Sequence, residues 1–288
     1  MAQLFDDSSS CFMACRRGLG KGAVALFGVP YDGTTSFRPG SRFGPAAIRA
    51  VSAGLETYDP QLNRDLEAAS LRDLGDLRIP FGAPEPVIEL VQEGTATLLQ
   101  AGMGPLMLGG EHSITTGAVA AVAAVHPNLA LLQLDAHADL RHTWLGSRHS
   151  HACAMRRCLQ VLPSGTLLQL GIRSGSRAEF QELRDSGRGI AADAGSLDRA
   201  LAPLRGRPLY LTVDLDWFDP AVLPGTGTPE PGGFFWHDWA RLVEELCHHN
   251  LVAADVVELS PQWDPSDCSS LLAAKVVRSL LLLLDRRW

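Results

Sequence analysis

The 288-residue chain has no CxxC pair, no basic cluster longer than a doublet such as Arg156-Arg157, no internal repeat and no low-complexity segment. Each absence excludes something. Six cysteines (Cys11, Cys15, Cys153, Cys158, Cys247 and Cys268) spread over so long a chain do not resemble the dense framework of a small secreted domain, so a reducing cytoplasm is expected. A net charge of -7 without a Lys/Arg stripe argues against nucleic-acid binding, which needs a concentrated cationic footprint. A small cationic or neutral ligand suits such a chain better. No apolar run approaches the ~20 residues of a membrane span. The most apolar run, Leu280 to Leu284, has Lys275 and Arg278 before it and Asp285 after it, and reads as the buried face of a terminal helix. The opening MAQLFDDSSSCFMACRRG puts acidic residues ahead of its basic pair and has no continuous apolar stretch, so residues 1-20 are expected as a flexible arm rather than a signal peptide, ahead of one domain over 21-288.

What is present is alternation. With 46% hydrophobic residues the chain can bury a large core. Strand-like runs fall at 23-29, 71-74, 106-108, 129-134, 166-170, 209-213 and 252-257, several of them apolar on both faces as in a buried parallel sheet. Helical patterns lie between them at 45-53, 86-101, 114-125, 152-162, 178-186, 237-248 and 269-285. This order predicts a three-layer α/β/α sandwich with a mostly parallel central sheet of about eight strands.

Three of the strands end in carboxylates and imidazoles: His112; Asp135, His137 and Asp139; and Asp214 with Asp216. The i, i+2, i+4 spacing would aim such residues to one side of an extended chain. Four carboxylates at one point repel unless a cation sits between them, so a metal pair is the economical reading. Oxygen-rich donors with two imidazoles and no thiolate point to Mn(II) before zinc, with nickel, cobalt and iron also open. A single Asp or His at a strand end is ordinarily a turn or cap residue, and only the combination argues for a metal. Asp219 before Pro220 reads as a turn residue, His248-His249 as a helix end, His126 and His237 as structural, and Cys153 and Cys158 as packing residues.

The motifs GGEHS (109-113), LDAHADLR (134-141), VDLDWFDPA (213-221), GTGTPEPGG (225-233) and VVELSP (256-261), with GVPYDGTTSFRPGSRFGPAAIR (28-49), resemble the ureohydrolase family of arginases and agmatinases. That resemblance covers residues 23 to about 285. It implies a single catalytic domain that hydrolyses a guanidinium group with two manganese ions. Asp135 and Asp214 would bridge both ions, His112 and Asp139 completing one site and His137 and Asp216 the other. A metal-bridging hydroxide would attack the guanidinium carbon while Glu258 pairs with its N–H groups. Asp139 and the ions would stabilise the tetrahedral species, and His151 would carry a proton to the departing amine. Thr228 matches a position close to the guanidinium. Homo-trimers or homo-hexamers are implied as well.

The stretch after the second motif bears on the substrate's tail. Arginases follow that motif with an Asn and small hydroxyl residues; here Arg141 replaces the Asn, and DLR, an aromatic, a Gly and then SHACAMRR resemble agmatinases. The expected reaction is agmatine to putrescine and urea. Arg141 and Arg148 fit a cationic tail poorly and would suit a carboxylate, so guanidinobutyrate, guanidinopropionate, arginine and guanidine stay open. Trp144 could cover an amine tail by a cation-π contact. Two other classes compete: a non-catalytic metal-binding scaffold, against which Glu258 and His151 argue, and a two-metal phosphoesterase, which would set cations opposite the metals rather than Glu258.

Overall fold

A computed structural model describes residues 4-6, 10-162, 166-190 and 197-285. Its strands are β1 (Phe5–Asp6), β2 (Val24–Val29), β3 (Tyr58–Asp59), β4 (Arg64–Asp65), β5 (Leu71–Leu77), β6 (Gly104–Gly109), β7 (Ala130–Leu134), β8 (Leu167–Leu170), β9 (Gly189–Ile190), β10 (Pro208–Asp214) and β11 (Asn250–Val257). Its α-helices are α1 (Gly44–Ser52), α2 (Pro84–Gln100), α3 (Thr115–Val125), α4 (Ala154–Val161), α5 (Arg177–Ser186), α6 (Leu197–Leu201), α7 (Trp236–Leu246) and α8 (Cys268–Leu284). Among the described residues the main sheet has nine strands, in the order β1-β5-β2-β6-β11-β10-β7-β8-β9. All its pairings are parallel except that of β1 with β5 at one edge. The count is nine rather than about eight because β1 and β9, two residues each, add edges too short to show a period in sequence.

The strands are apolar on both faces because helices cover both. Leu26, Leu132, Leu211 and Val256 share one core with Ile48 of α1, Trp239 and Val243 of α7 and Leu280 of α8. The alternate residues Ala25, Phe27, Leu131, Tyr210 and Ala253 share the other with Val91 of α2, Val122 of α3 and Met155 of α4. Each fully buried Leu, Val or Phe contributes roughly 1.5–3 kcal/mol relative to exposure. Leu280, Leu281 and Leu282 have 0% exposure, and among the described residues no helix is long and apolar enough to cross a membrane.

The stretch expected as an arm is packed from Cys11 onward. Phe12 is buried and its N–H donates to Asp73 Oδ2 on β5 at 2.8 Å, while Arg16 bridges to Arg72. Asp73 is the reason: it is buried beside Arg49 of α1, which donates to it from Nε at 2.9 Å and Nη2 at 3.0 Å, and a buried carboxylate holds every donor within reach.

The topology places the site. β6, β11, β10 and β7 stand side by side, although the chain runs from β6 to β7 before returning through β10 and β11 to fill the gap between them. Parallel strands end at a common edge, and a crevice forms where the strand order switches. All the chemistry-bearing motifs leave these four strands there.

Candidate active site and metal centre

β6 runs through Gly109-Gly110 to His112. A Cβ on Gly110 would stand 1.9 Å from Tyr31 O, so only glycine allows the loops after β2 and β6 to touch. That approach lets Gly110 donate to Val29 O at 2.9 Å and accept from the Glu258 N–H at 2.8 Å. Glu258, after β11, closes the link: its Oε1 accepts the His112 N–H at 2.8 Å.

β7 ends at Leu134, and Asp135, His137 and Asp139 do not continue it as an extended chain. Their convergence comes from a loop in which Asp135 Oδ1 accepts the His137 N–H at 2.5 Å and Asp139 turns through φ +52°. A loop, not the pleat of an extended strand, brings the three side chains together. Glu258 also lies in the left-handed region, at φ +67°. Such backbone costs of order 1–3 kcal/mol per non-glycine residue and persists where the surroundings over-determine it. At the end of β10, Asp214 Oδ1 accepts the Asp216 N–H at 2.9 Å.

These loops form two donor clusters that share one residue. His112, Asp135 and Asp139 make one, and Asp135, His137 and Asp216 the other. His112 Nδ1 lies 3.1 Å from Asp135, 3.2 Å from Asp139 and 3.3 Å from Asp214; His137 Nδ1 lies 2.8 Å from Asp216 and 3.6 Å from Asp135. The protein alone does not balance this charge. Burial and the neighbouring carboxylates Asp216 and Asp135 push Asp214 well up, and burial with Asp135 raises Asp139 to about 6. Burial opposes a proton on either imidazole, but the carboxylates outweigh it, raising His112 well above its ordinary value and His137 to about 12. Without metal, the positive charge among these carboxylates comes from the two protonated imidazoles, and divalent ions at both Nδ1 atoms would answer the same demand. The donor set fits such ions.

Above the clusters is a cavity of about 250 Å³, small enough for a metabolite rather than a polymer. His112, His137, Asp139, Asp214 and Glu258 line its floor, and Thr228, His151, Arg141 and Trp144 its walls. Thr228 donates to Asp216 Oδ2 at 3.3 Å. Burial, then the His137 charge, lowers His151 to about 4, so its imidazole is neutral at pH 7. Arg141 lies 4.1 Å above the Trp144 ring and 3.8 Å from Glu179, so one face of the indole is already taken by this guanidinium. Arg148 is exposed and does not line the cavity. Asp219 is the turn residue expected, accepting from Ala221, Gly232 and Gly233 N–H groups, and burial raises Cys153 to about 11 and Cys158 to about 12, which keeps both as packing thiols.

The arginase family's sequence profile matches residues 22–283. The chain belongs to that family. An agmatinase of Halalkalibacterium halodurans is 39% identical over 96% of this chain and 98% of its own length. Among solved structures, the agmatine ureohydrolase of Thermoplasma volcanium superposes with a TM-score of 0.82 at 34% identity, covering 98% of this chain and 94% of the other. The proclavaminate amidino hydrolase of Streptomyces clavuligerus gives 0.89 at 32% identity over 99% of each.

The arginase-family site has supports that sequence reasoning missed. His112 Nε2 meets Thr212 Oγ1 at 2.8 Å, and Thr212 and Tyr210 both donate to Asp255 on the neighbouring strand, at 2.5 and 2.7 Å. Partnering Nε2 turns Nδ1 toward the carboxylates, as a metal-binding imidazole requires. Gln133 donates to Asp135 Oδ2 at 2.6 Å and is itself met by Gln169 from β8. Arg173 donates to the carbonyls of Asp216 at 2.7 Å, Glu230 at 2.9 Å and Pro231 at 3.2 Å, pinning the Asp216 loop. Trp217, stacked on Phe234 at 4.3 Å, fits because Gly171 has no side chain. A faint signal existed: Gln133, Gln169 and Asp255 are single polar residues inside otherwise apolar buried strands.

Proposed function

We propose that this ureohydrolase cleaves agmatine to putrescine and urea with a pair of manganese ions. His112, Asp135, Asp139 and Asp214 would hold one ion and Asp135, His137, Asp214 and Asp216 the other. When bound, the pair would lower the pKa of a shared water from 15.7 toward ~7 and so supply hydroxide to the guanidinium carbon. The observation that carries the reading is the placement of Glu258: its carboxylate is anchored through Oε1 to the His112 N–H, and the residue lines the cavity. A carboxylate so fixed pairs with the planar guanidinium and presents its carbon to the floor.

The remaining steps belong to side chains. One C–O bond forms and the C–N bond to the tail breaks; water supplies the oxygen of urea and both protons the departing amine needs. His151, being neutral, takes a proton before it gives one to that amine. Thr228 holds Asp216 in place and closes the wall against the guanidinium. Arg141 no longer argues against a cationic tail, because Glu179 beside it and the Trp144 ring beneath it hold its charge at the wall. The other Trp144 face is left to the amine tail. We place the reaction in the cytoplasm and in a homo-oligomer of three or six chains, which sedimentation would check.

The test is a substrate panel with Mn(II), measuring urea. Agmatine should have the highest kcat/KM, above guanidinobutyrate, guanidinopropionate, arginine and guanidine. A higher value for a carboxylate-tailed guanidine would overturn the agmatine assignment and hand Arg141 the role of tail anchor.

A further inference from the structure

Glu111, next to His112 in the chain, is buried and has no part in the scheme above. Its Oε2 accepts the Thr34 N–H at 2.7 Å, and its Oε1 accepts the hydroxyls of Thr34 at 2.5 Å and Ser113 at 2.6 Å. Thr34 has one hydroxyl proton, and the carboxylate takes it. The Thr34 oxygen keeps only lone pairs, and these face His151: the backbone N–H at 3.0 Å and ring Nδ1 at 3.3 Å. An oxygen whose proton is committed elsewhere can only accept, so the ring contact calls for a proton on Nδ1. Ser150 Oγ, 3.5 Å from the same nitrogen, is a longer contact whose hydroxyl can turn to accept as well. The lone pair of the neutral ring then sits on Nε2, 3.3 Å from Ser36 Oγ, and both residues line the cavity.

We infer that Glu111 and Thr34 are positioning residues for His151, fixing its Nδ1–H tautomer so that Nε2 faces the cavity as the atom that receives and delivers the proton. This rests on the proposed function for its catalytic meaning, but not for the tautomer itself. In the reaction, Nε2 accepts a proton released by the nucleophilic water and passes it to the departing amine nitrogen as the C–N bond breaks. The ring ends as it began, with Nδ1–H still donated to Thr34. Direction is set by Glu111 in its ionised form, whose two oxygens accept all three hydrogen bonds, from the Thr34 N–H and from the Thr34 and Ser113 hydroxyls. In Glu111→Gln the amide oxygen must meet the Thr34 N–H, which turns the NH2 toward the Thr34 and Ser113 hydroxyls. The Thr34 O–H is thereby released to donate to Nδ1, and the tautomer inverts.

The experiment uses the full chain, its metal exchanged for diamagnetic zinc, with nitrogen-labelled histidine and alkaline buffer; His151→Asn assigns the one resonance of interest among nine histidines. The native protein should show Nδ1–H at His151 and Glu111→Gln should show Nε2–H. With manganese, Thr34→Val should lose ~10-fold or more in kcat, a share of the ~10²–10⁴ that general acid–base help supplies, with KM and metal content unchanged, and Thr34→Ser should restore it. Native His151 carrying Nε2–H, or Thr34→Val with native kcat, overturns the inference. A native chain that releases no urea from any guanidine defeats the functional reading alone, and the tautomer then decides this one.

Discussion

At the floor of the cavity, His112, Asp135, Asp139, Asp214, Asp216 and Glu258 are each at most 9% exposed, and neighbouring backbone N–H groups donate to Asp135, Asp214, Asp216 and Glu258. At the mouth, Arg141 and Trp144 are half-buried, Leu145 is 79% exposed, and the turn they sit on is closed by the paired Trp144 and Ser147 hydrogen bonds at 2.9 Å. The two regions tolerate change differently. Removing one member of a buried charged set leaves its partners unpaired, at a cost of ~3–5 kcal/mol. At the mouth a substitution costs a surface contact. A protein built this way keeps its reaction while its substrate's tail is free to vary, and relatives named for agmatine and for proclavaminate share its fold.

The comparison breaks first at the floor. Asp135 belongs to both donor clusters, so Asp135→Asn should empty both and lower the rate by more than ~10³-fold, as the water's pKa returns toward 15.7. Metal analysis with urea release checks this, and full activity would refute the shared role. Glu258→Gln should keep both metals and lose ~10- to 100-fold in kcat/KM, the worth of a charge-assisted hydrogen bond at ~1.5–3 kcal/mol. Loss of metal instead would make Glu258 a support for His112 rather than a substrate ligand.

A pH effect follows from the imidazoles. His137 is raised from 6.5 to about 12 without metal, so its protonation stabilises the metal-free fold fully below the ordinary value and that contribution fades as pH rises through the folded one. Metal binding between those limits must displace protons from His112 and His137. Calorimetry at neutral pH in buffers of different ionisation heat should show proton release, and binding should tighten as pH rises. Binding without proton release would contradict the picture. At the mouth, Trp144→Ala should raise KM for agmatine with kcat nearly unchanged, by what a cation-π contact of ~0.5–2 kcal/mol allows. Smallest of all, Leu145 at φ +47° precedes Gly146 at φ +84°, a turn that favours Asn-Gly. Leu145→Asn should stabilise the fold by up to about 1 kcal/mol, read as a higher melting temperature, and leave the floor, and so kcat, as it was.

Much of this was legible in the sequence because apolar period and strand-end chemistry are local. The seven long strands and seven long helices are where alternation put them, and the six candidate ligands come together. What was not legible is pairwise. Asp139 and Glu258 reach the site through left-handed backbone that no residue pattern announces, and Asp255, Gln133 and Arg173 act across strands whose register is set only by the fold. Thr34 lies in the 28-49 motif, but its meaning depends on Glu111, seventy-seven positions away. In sequence Arg141 reads as an obstacle to a cationic tail, because only the fold brings Glu179, thirty-eight positions on, beside it.

The most direct test of the central claim is a titration of the metal-free chain with Mn(II), following urea and putrescine from agmatine. The proposed function predicts that both products appear in equal amounts, that activity saturates at two ions per chain and that a chelator abolishes it. Two ions bound with no urea from agmatine or any other guanidine would contradict it.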